Sequence, residues 1–541
     1  MSNRTINTLS GSLAPVNAQL EKLQQNINDK LDRIPDEGQM NAMQSVQDAN
    51  DYRIINLGEP QNPNDAARLR DVTVTQVIAE GGLIVESLLD LAALQITAAG
   101  TRAVVTGAAN APFELLPEGA VAQDGDITTS GGRVWELDVG TRPNLLWFGV
   151  TEGGDTSSTV QLAFNRAEGL YVPKGSYTVA NLDLNGTSLY GEEGATFVES
   201  GSSSSYTFTD STSTPVQFSK ITLDGNSVNV KGMLFSNKSQ VFFNDVEIKR
   251  YLARVVYFDS TCENVQIIGG YFHDLTNEAF LFLNKQTVVL GGIYSDIVGH
   301  AFRFGRFNDD PDALSGINSA VSGCVFENVQ NNPILFELDS RDAAVTGCMS
   351  KSSRGLIKVE STGLAGDIAS RVSITGNRVE QSIGVTPTGI DGNESERLTI
   401  VGNYVDTCYE GISAGTGSIV QGNTVVNASN QSIRTVGNSV KIQDNLVLGE
   451  SLTDTGIQIE GDDITVQDNT VSDCTNRGIT LAGTSTRPFI EGNRVSTCVT
   501  NIRAVSTVVD GFIVNNFTNG ATSTEIQNAS GSTTVTGNYT V

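Results

Sequence analysis

The chain has 541 residues, 34 Lys+Arg against 61 Asp+Glu and a net charge of −27, a balance that argues against nucleic acid as a partner. The same charge disfavours a dense polyanion unless a local basic patch overrides the average. No apolar run is long enough to span a membrane and no signal peptide is read at the start, so synthesis in a cytosol without Sec-type export is expected.

In chain order, residues 1–12 are polar. Leu13, Val16, Leu20, Leu23, Ile27, Lys30 and Ile34 then alternate spacings of three and four, an a/d seam of about three heptads with one polar slot. Pro35 and Gly38 end it. So short a coiled coil is marginal alone and fits the root of an oligomer. Residues 1–38 are therefore assigned to an N-terminal tail and coiled coil. Residues 39–100 form a neck, in which Thr73 to Gln95 reads as helical with a break at Gly81-Gly82. Residues 101–147 read as a small β unit, with turns at Glu118-Gly119, Asp124-Gly125 and Gly131-Gly132. Its expected core is Phe113, Trp135 and Trp147.

From 148 to 541 one architecture is expected. A short pattern recurs in its second half: apolar, any, Gly or Asp, Asn, any, apolar. Its asparagines are Asn377, Asn403, Asn423, Asn445, Asn469, Asn493, Asn516 and Asn538, spaced by 20 to 26 residues. Such self-similarity means one supersecondary unit stacked many times. Each copy holds two short alternating apolar runs separated by Gly, Asn, Asp, Ser and Thr, and no amphipathic helical window. The unit is a coil of β-structure, a parallel β-helix. The Asn stacks rung on rung at an inner corner, and the small residue before it tolerates the turn dihedrals. A leucine-rich repeat is excluded by sparse Leu and the missing LxxLxLxxN frame. All six cysteines fall in this region; Cys324 and Cys348 take the Asn slot, and Cys408, Cys474 and Cys498 follow a corner Asn by five residues. They read as reduced core thiols. With no CxxC pair and two histidines, neither a metal nor another cofactor is expected.

Alternation along one strand of successive rungs locates candidate chemistry. Phe280, Phe302, Ile334, Ile357, Ile390 and Ile412 point inward. Tyr257, Leu281, Arg303, Leu335, Lys358, Asp391, Ser413 and Arg434 form an outward column. Asp259, Leu283, Gly305, Glu337, Glu360 and Asn393 form a second. Glu337 and Glu360 then stack on adjacent rungs, and two such carboxyls share a proton unequally, the split an acid/base pair uses. Asp339 and Asp391 flank them as further catalytic candidates. Arg303, Arg306, Lys358, His300 and Tyr257 are the candidate substrate-binding residues. The excursion at 305–320, with Asp309, Asp310 and Asp312, is positioned to wall a groove. The competing reading is a solvated face with cross-rung ion pairs.

Two stretches carry a family resemblance. NDYRIINLGEPQNPNDAARLRDV at 50–72 resembles a phage tail-fibre and tailspike segment, N-x-I-x-N-L-x-x-P-x-x-P-x-D-A. The stretch from Trp147 to Phe197 resembles the opening rungs of pectate-lyase-like tailspikes. There Phe148-Gly149, Gly154-Asp155, Thr156, a helix over Thr159–Ala167, Tyr171-Val172-Pro173, Gly175, Tyr177, Leu189, Gly191 and Gly194 match, and the usual paired Asp before Thr is missing. The resemblance implies a phage tailspike: a homotrimer of right-handed parallel β-helices, held in the virion by tail or adaptor proteins through residues 1–70. It also implies binding, and in many members depolymerisation, of a bacterial surface polysaccharide. It transfers no catalytic residue. The acid-rich column favours hydrolysis; Arg303 and Lys358 leave a polysaccharide lyase open, and a non-enzymatic adhesin or a structural spike are the other readings.

Overall fold

The computed structural model describes residues 83–94 except Ser87, most of 102–137, and 142–540 except 202–204, 229, 306–316, 338–339 and 361–368. The heptad seam at 13–34 and the motif at 50–72 lie outside the described residues. Two compact units are present, the first ending near Glu136 and the second running from Leu137 onward.

The first unit holds a five-stranded sheet in the order Leu83–Val85, Arg102–Val105, Ala111–Leu115, Val134–Leu137, Ile127–Thr128. Its inward alternation buries Ala103, Val105, Phe113 and Leu115. The helical reading of the preceding neck needs correction. Leu83–Val85 is a strand paired in parallel with Ala103–Val105, and among the described residues of the neck the helix spans Leu88–Ala93. Sheet pairing of a β-branched run outcompetes local helix propensity. Trp147 also differs: it sits half-buried in a 3-10 turn, Leu145–Phe148, of the second unit.

The second unit is a parallel β-solenoid of the right-handed type, as the sterics of parallel crossovers favour. Three faces repeat. Face one is a sixteen-stranded sheet from Gly169–Val172 to Thr534–Thr536. Face two carries the strands just after the corner Asn, such as Arg378–Glu380 and Leu446–Leu448. Face three carries strands such as Phe302–Phe304, Ile334–Phe336 and Ile357–Val359. Every rung-to-rung pairing is parallel, with Phe280, Phe302, Ile334, Ile357, Ile390 and Ile412 in one continuous register. That inward column is fully buried.

The corner asparagines form one hydrogen-bonded ladder. Each Nδ2–H donates to the Oδ1 of the next Asn at 2.9 to 3.0 Å, from Asn377 through Asn516 to Asn538. Each backbone N–H donates to the same oxygen, and Nδ2 also donates to a carbonyl of the rung before. An amide carries two donors and one two-lone-pair acceptor, so this site saturates it. Cys348 continues the column, its backbone N–H donating to Asn377 Oδ1 at 2.8 Å. All six cysteines are free and buried.

The N-terminal end of the coil is covered by the helix Ser157–Arg166. Asp155 Oδ1 accepts the Ser157 N–H at its start, Val160, Ala163 and Phe164 are buried, and Thr187 Oγ1 donates to the Phe164 and Ala167 carbonyls at its end. A helix there shields the open sheet edge and the core beneath it. The early core is aromatic, with Phe282, Phe304 and Phe336 stacked at 4.8 and 4.7 Å, whereas later rungs use Ile and Val.

Candidate functional site

Chemistry-bearing side chains collect on the outside of face three between residues 278 and 410. The strands there are three to five residues long, and their even pairing sets the side chains at one strand spacing, about 4.8 Å. Tyr257, Leu281, Arg303, Leu335, Lys358, Asp391, Ser413 and Arg434 pair in that order as one column. The column is not uniformly solvated: Leu281, Leu335 and Ser413 are buried.

Arg303 is the upstream hub. Its Nε and Nη2 donate to Glu337 at 2.8 and 3.0 Å, and Nη1 donates to Glu278 at 3.1 Å. Gly305 makes room for this, since a Cβ there would stand 2.5 Å from Glu337 Oε2. Burial pushes the Glu337 carboxyl above its ordinary range although the Arg303 guanidinium opposes the shift. Glu360 has its own cation, Lys358. Burial works against the charged ammonium, but Glu360 and then Asp391 hold it above its ordinary value. The two stacked glutamates are thus each paired with a cation of their own.

Next to this hub lies a cavity of about 160 Å³, lined by His300, Asn331, Asn332, Leu335, Arg354, Lys358, Glu360, Thr386, Thr388 and Asp391. Glu337 and Arg303 lie outside the lining. His300 Nδ1–H donates to the Asn332 carbonyl at 2.7 Å, which leaves Nε2 as the lone-pair nitrogen. Burial lowers the His300 pKa from its ordinary 6.5, with the Asn332 carbonyl and Glu278 working against the shift. The ring is therefore neutral at pH 7. Asp391 sits beside Lys358 in register and accepts only a long hydrogen bond, 3.4 Å, from Asn393 N–H. Burial raises its pKa above the ordinary 3.8. A carboxyl whose pKa burial raises, a carboxyl paired with a lysine and a neutral imidazole share one cavity, unlike environments of the kind that acid/base catalysis uses.

Of the remaining sequence candidates, Tyr257 stands two strands upstream of Arg303 under the Arg254 guanidinium, 5.4 Å from its ring centroid, and does not line the cavity. Arg306, Asp309, Asp310, Asp312 and Asp339 lie outside the described residues. Sequence reasoning missed Arg354, Asn331, Asn332, Thr386, Thr388 and Glu410. They come from turns and strand edges, where alternation gives no signal. Glu410 pairs with Thr388 in register, bonds Arg434 at 3.5 Å, and has its pKa raised by burial.

The family described as periplasmic copper-binding protein (NosD) matches residues 317–540, less than half of the chain. Those rungs contain no histidine, their cysteines are buried, and among the described residues no group of three or more His, Cys, Asp or Glu stands together. They do not fit a copper centre. No curated protein matches the chain in sequence. Solved structures with a similar fold include phage tailspike proteins. The bacteriophage phi29 gene product 12 is 15% identical over 73% of this chain and 56% of its own, with a TM-score of 0.46. The tailspike gp49 of Acinetobacter baumannii bacteriophage Fri1, described as a capsular polysaccharide depolymerase, is 13% identical over 72% and 71%, with a TM-score of 0.41. The A-module of the Azotobacter vinelandii mannuronan C-5 epimerase AlgE4 is 16% identical over 73% and 100%, with a TM-score of 0.37. At these values the likenesses assign no residue, and the candidate site rests on its own geometry.

Proposed function

We propose that this chain is a virion tailspike that binds a bacterial surface polysaccharide and depolymerises it in the face-three cavity. The observation that carries the reading is the pairing of Asp391, a half-buried carboxyl without an ion-pair partner among the described residues, with Glu360, a carboxyl held by Lys358, in one lining. The tailspike-type segments at 50–72 and 147–197 support the virion setting, with residues 1–70 as the attachment to tail or adaptor proteins. Homotrimer formation fits the apolar residues that face two exposes on neighbouring rungs, Tyr271, Ile293 and Met349.

Hydrolysis is the reaction we favour, and the carboxyl arrangement supports it. Asp391 and Glu360 differ by one strand spacing and two residues along the strand, about 8 Å between Cα atoms by ordinary sheet dimensions. Both side chains line one cavity, and inverting glycosidases use two carboxyl groups set far enough apart, about 6.5–9.5 Å between the groups themselves, to admit a water. Asp391 donates its proton to the glycosidic oxygen, and Glu360 accepts one from the attacking water. A second reading, β-elimination, is favoured by the free Nε2 of neutral His300, which suits a base.

The test is reducing-end release from purified surface polysaccharide by wild type, Asp391→Asn and Glu360→Gln, with product anomers followed by NMR and unsaturated uronate by its ultraviolet band. Release with inversion, lost in both variants, supports hydrolysis here. An ultraviolet rise selects elimination. Binding without release makes the protein an adhesin and sinks the catalytic assignment.

A further inference from the structure

The face-three cavity carries a cation that the protein leaves uncompensated, in a chain whose net charge is −27. Of the two cationic side chains in its lining, Lys358 is paired with Glu360. Arg354 is not paired: among the described residues its guanidinium donates only to Asn331 Oδ1, at 3.3 Å, and meets no carboxylate. The other carboxyl in the lining is Asp391, which lies in register beside Lys358. Burial lowers the His300 pKa against the facing Glu278 and Glu360, and Arg303 reinforces the shift, so the imidazole adds no compensating charge. Among the described residues Arg354 is thus the lining cation with no carboxylate of its own.

The rest of the lining has the wrong character for an uncharged ring held by stacking. Among the described residues no Phe, Tyr or Trp borders the cavity; Asn331, Asn332, Thr386 and Thr388 supply amides and hydroxyls suited to sugar hydroxyl groups. Guanidinium donors are arranged in a planar fork that matches a carboxylate in two parallel hydrogen bonds. The acidic surface elsewhere is little hindrance, because exposed charges beyond about 8 Å are screened at physiological salt.

Resting on the reading of this cavity as a glycan site, we propose that it takes an anionic sugar, a pyranose ring bearing a carboxylate, and that Arg354 is the residue that selects for the charge. The amides and threonines then hold the ring hydroxyls, and the carboxylate lies on the open fork of Arg354.

The experiment uses the full chain and a panel of purified bacterial capsular polysaccharides, acidic and neutral. Each acidic one is tested in native form and after carbodiimide–borohydride reduction, which turns its carboxylates into primary alcohols and leaves ring and linkage unchanged. Affinities are measured for wild type, Arg354→Gln and Arg354→Lys, with circular dichroism as the folding control. Wild type is expected to bind an acidic glycan at least about tenfold more tightly than its reduced form, a difference of about 1.4 kcal/mol. Arg354→Gln is expected to bind both forms alike, and Arg354→Lys to keep part of the preference. Equal binding of native and reduced glycan by wild type overturns the anionic assignment while leaving the glycan site standing. Tightest binding to a neutral polysaccharide does the same. Full preference in Arg354→Gln overturns the role of Arg354. Binding to no polysaccharide overturns the glycan reading and this proposal together.

Discussion

Two parts of the solenoid are built from the same rung and use polar groups in opposite ways. In the corner ladder from Asn377 to Asn538 every amide is buried or nearly so and saturated by identical neighbours above and below. On face three between 278 and 413 the polar groups are mixed, and among the described residues several are incompletely matched: Arg354 lacks a carboxylate, Asp391 lacks a cation in ion-pair range, and the buried Ser413 hydroxyl has no partner. Repetition satisfies hydrogen bonds because each residue meets a copy of itself. A site needs unlike groups, so it breaks the repeat and leaves bonding capacity for a ligand. The ladder is built for stability, and the second region is where we propose the chemistry.

The comparison breaks most sharply at the ladder. Asn469→Ala removes a fully buried amide and strands the Asn445 N–H, while Asn445 Nδ2 keeps the Val420 and Gln443 carbonyls and Asn493 Oδ1 keeps the backbone N–H of residue 469. With about 1–3 kcal/mol for a buried group left unmatched, the variant should lose about 1–3 kcal/mol in denaturant unfolding. Turnover per folded molecule should stay unchanged. A loss below about 1 kcal/mol would mean that water replaces the amide and that the ladder is not the stabilising element.

Asp391→Asn should show the converse. Turnover should fall by about a hundredfold or more, the usual contribution of a positioned acid. Stability should hold, and the pH profile gives the sign. Because the folded-state pKa of Asp391 is raised, its stabilising contribution is present at low pH and lost as pH climbs through that value. Asn removes this loss, so the variant should unfold later than wild type at neutral pH. Earlier unfolding would make Asp391 a structural residue.

Glu337→Gln tests the boundary between the regions. It takes Glu337 away from Arg303 and keeps the Glu278 bond, and loss of a half-buried charged partner should cost about 1–3 kcal/mol. Turnover should change by less than about tenfold, because Glu337 does not line the cavity. A hundredfold loss of turnover would return it to the reacting centre.

The pH dependence of turnover sharpens the chemistry. Hydrolysis through protonated Asp391 fades as pH rises through its raised pKa. Elimination through neutral His300 instead fades as pH falls through its depressed pKa, below 6.5. A profile flat across both ranges would exclude both groups. The smallest effect is expected at Arg487→Ala, which removes an exposed cross-rung pair with Asp463, at 2.7 Å, and should leave both stability and turnover unchanged within error.

Much of the fold was legible because a solenoid repeats its own local rules. The Asn period predicted the corner column, and alternation placed Phe302, Ile334, Ile357 and Ile390 inward and Arg303, Lys358 and Asp391 outward, in the register observed. The neck was misread at Leu83–Val85 because a short apolar run lacks a period and its partner strand decides its state.

What the sequence by itself determined is therefore periodic: the rung, the ladder, the core columns and which residues can share a face. What only the tertiary structure decided is local and aperiodic. Alternation says that Glu337 and Glu360 lie on one face; it cannot say that Arg303 and Lys358 each claim one of them. Nor can it bring Arg354, Asn331 and Thr386 from separate turns into one lining with His300 and Asp391. The physical reason is that backbone periodicity fixes the direction of a side chain, whereas its partners and its burial depend on how far each neighbour reaches.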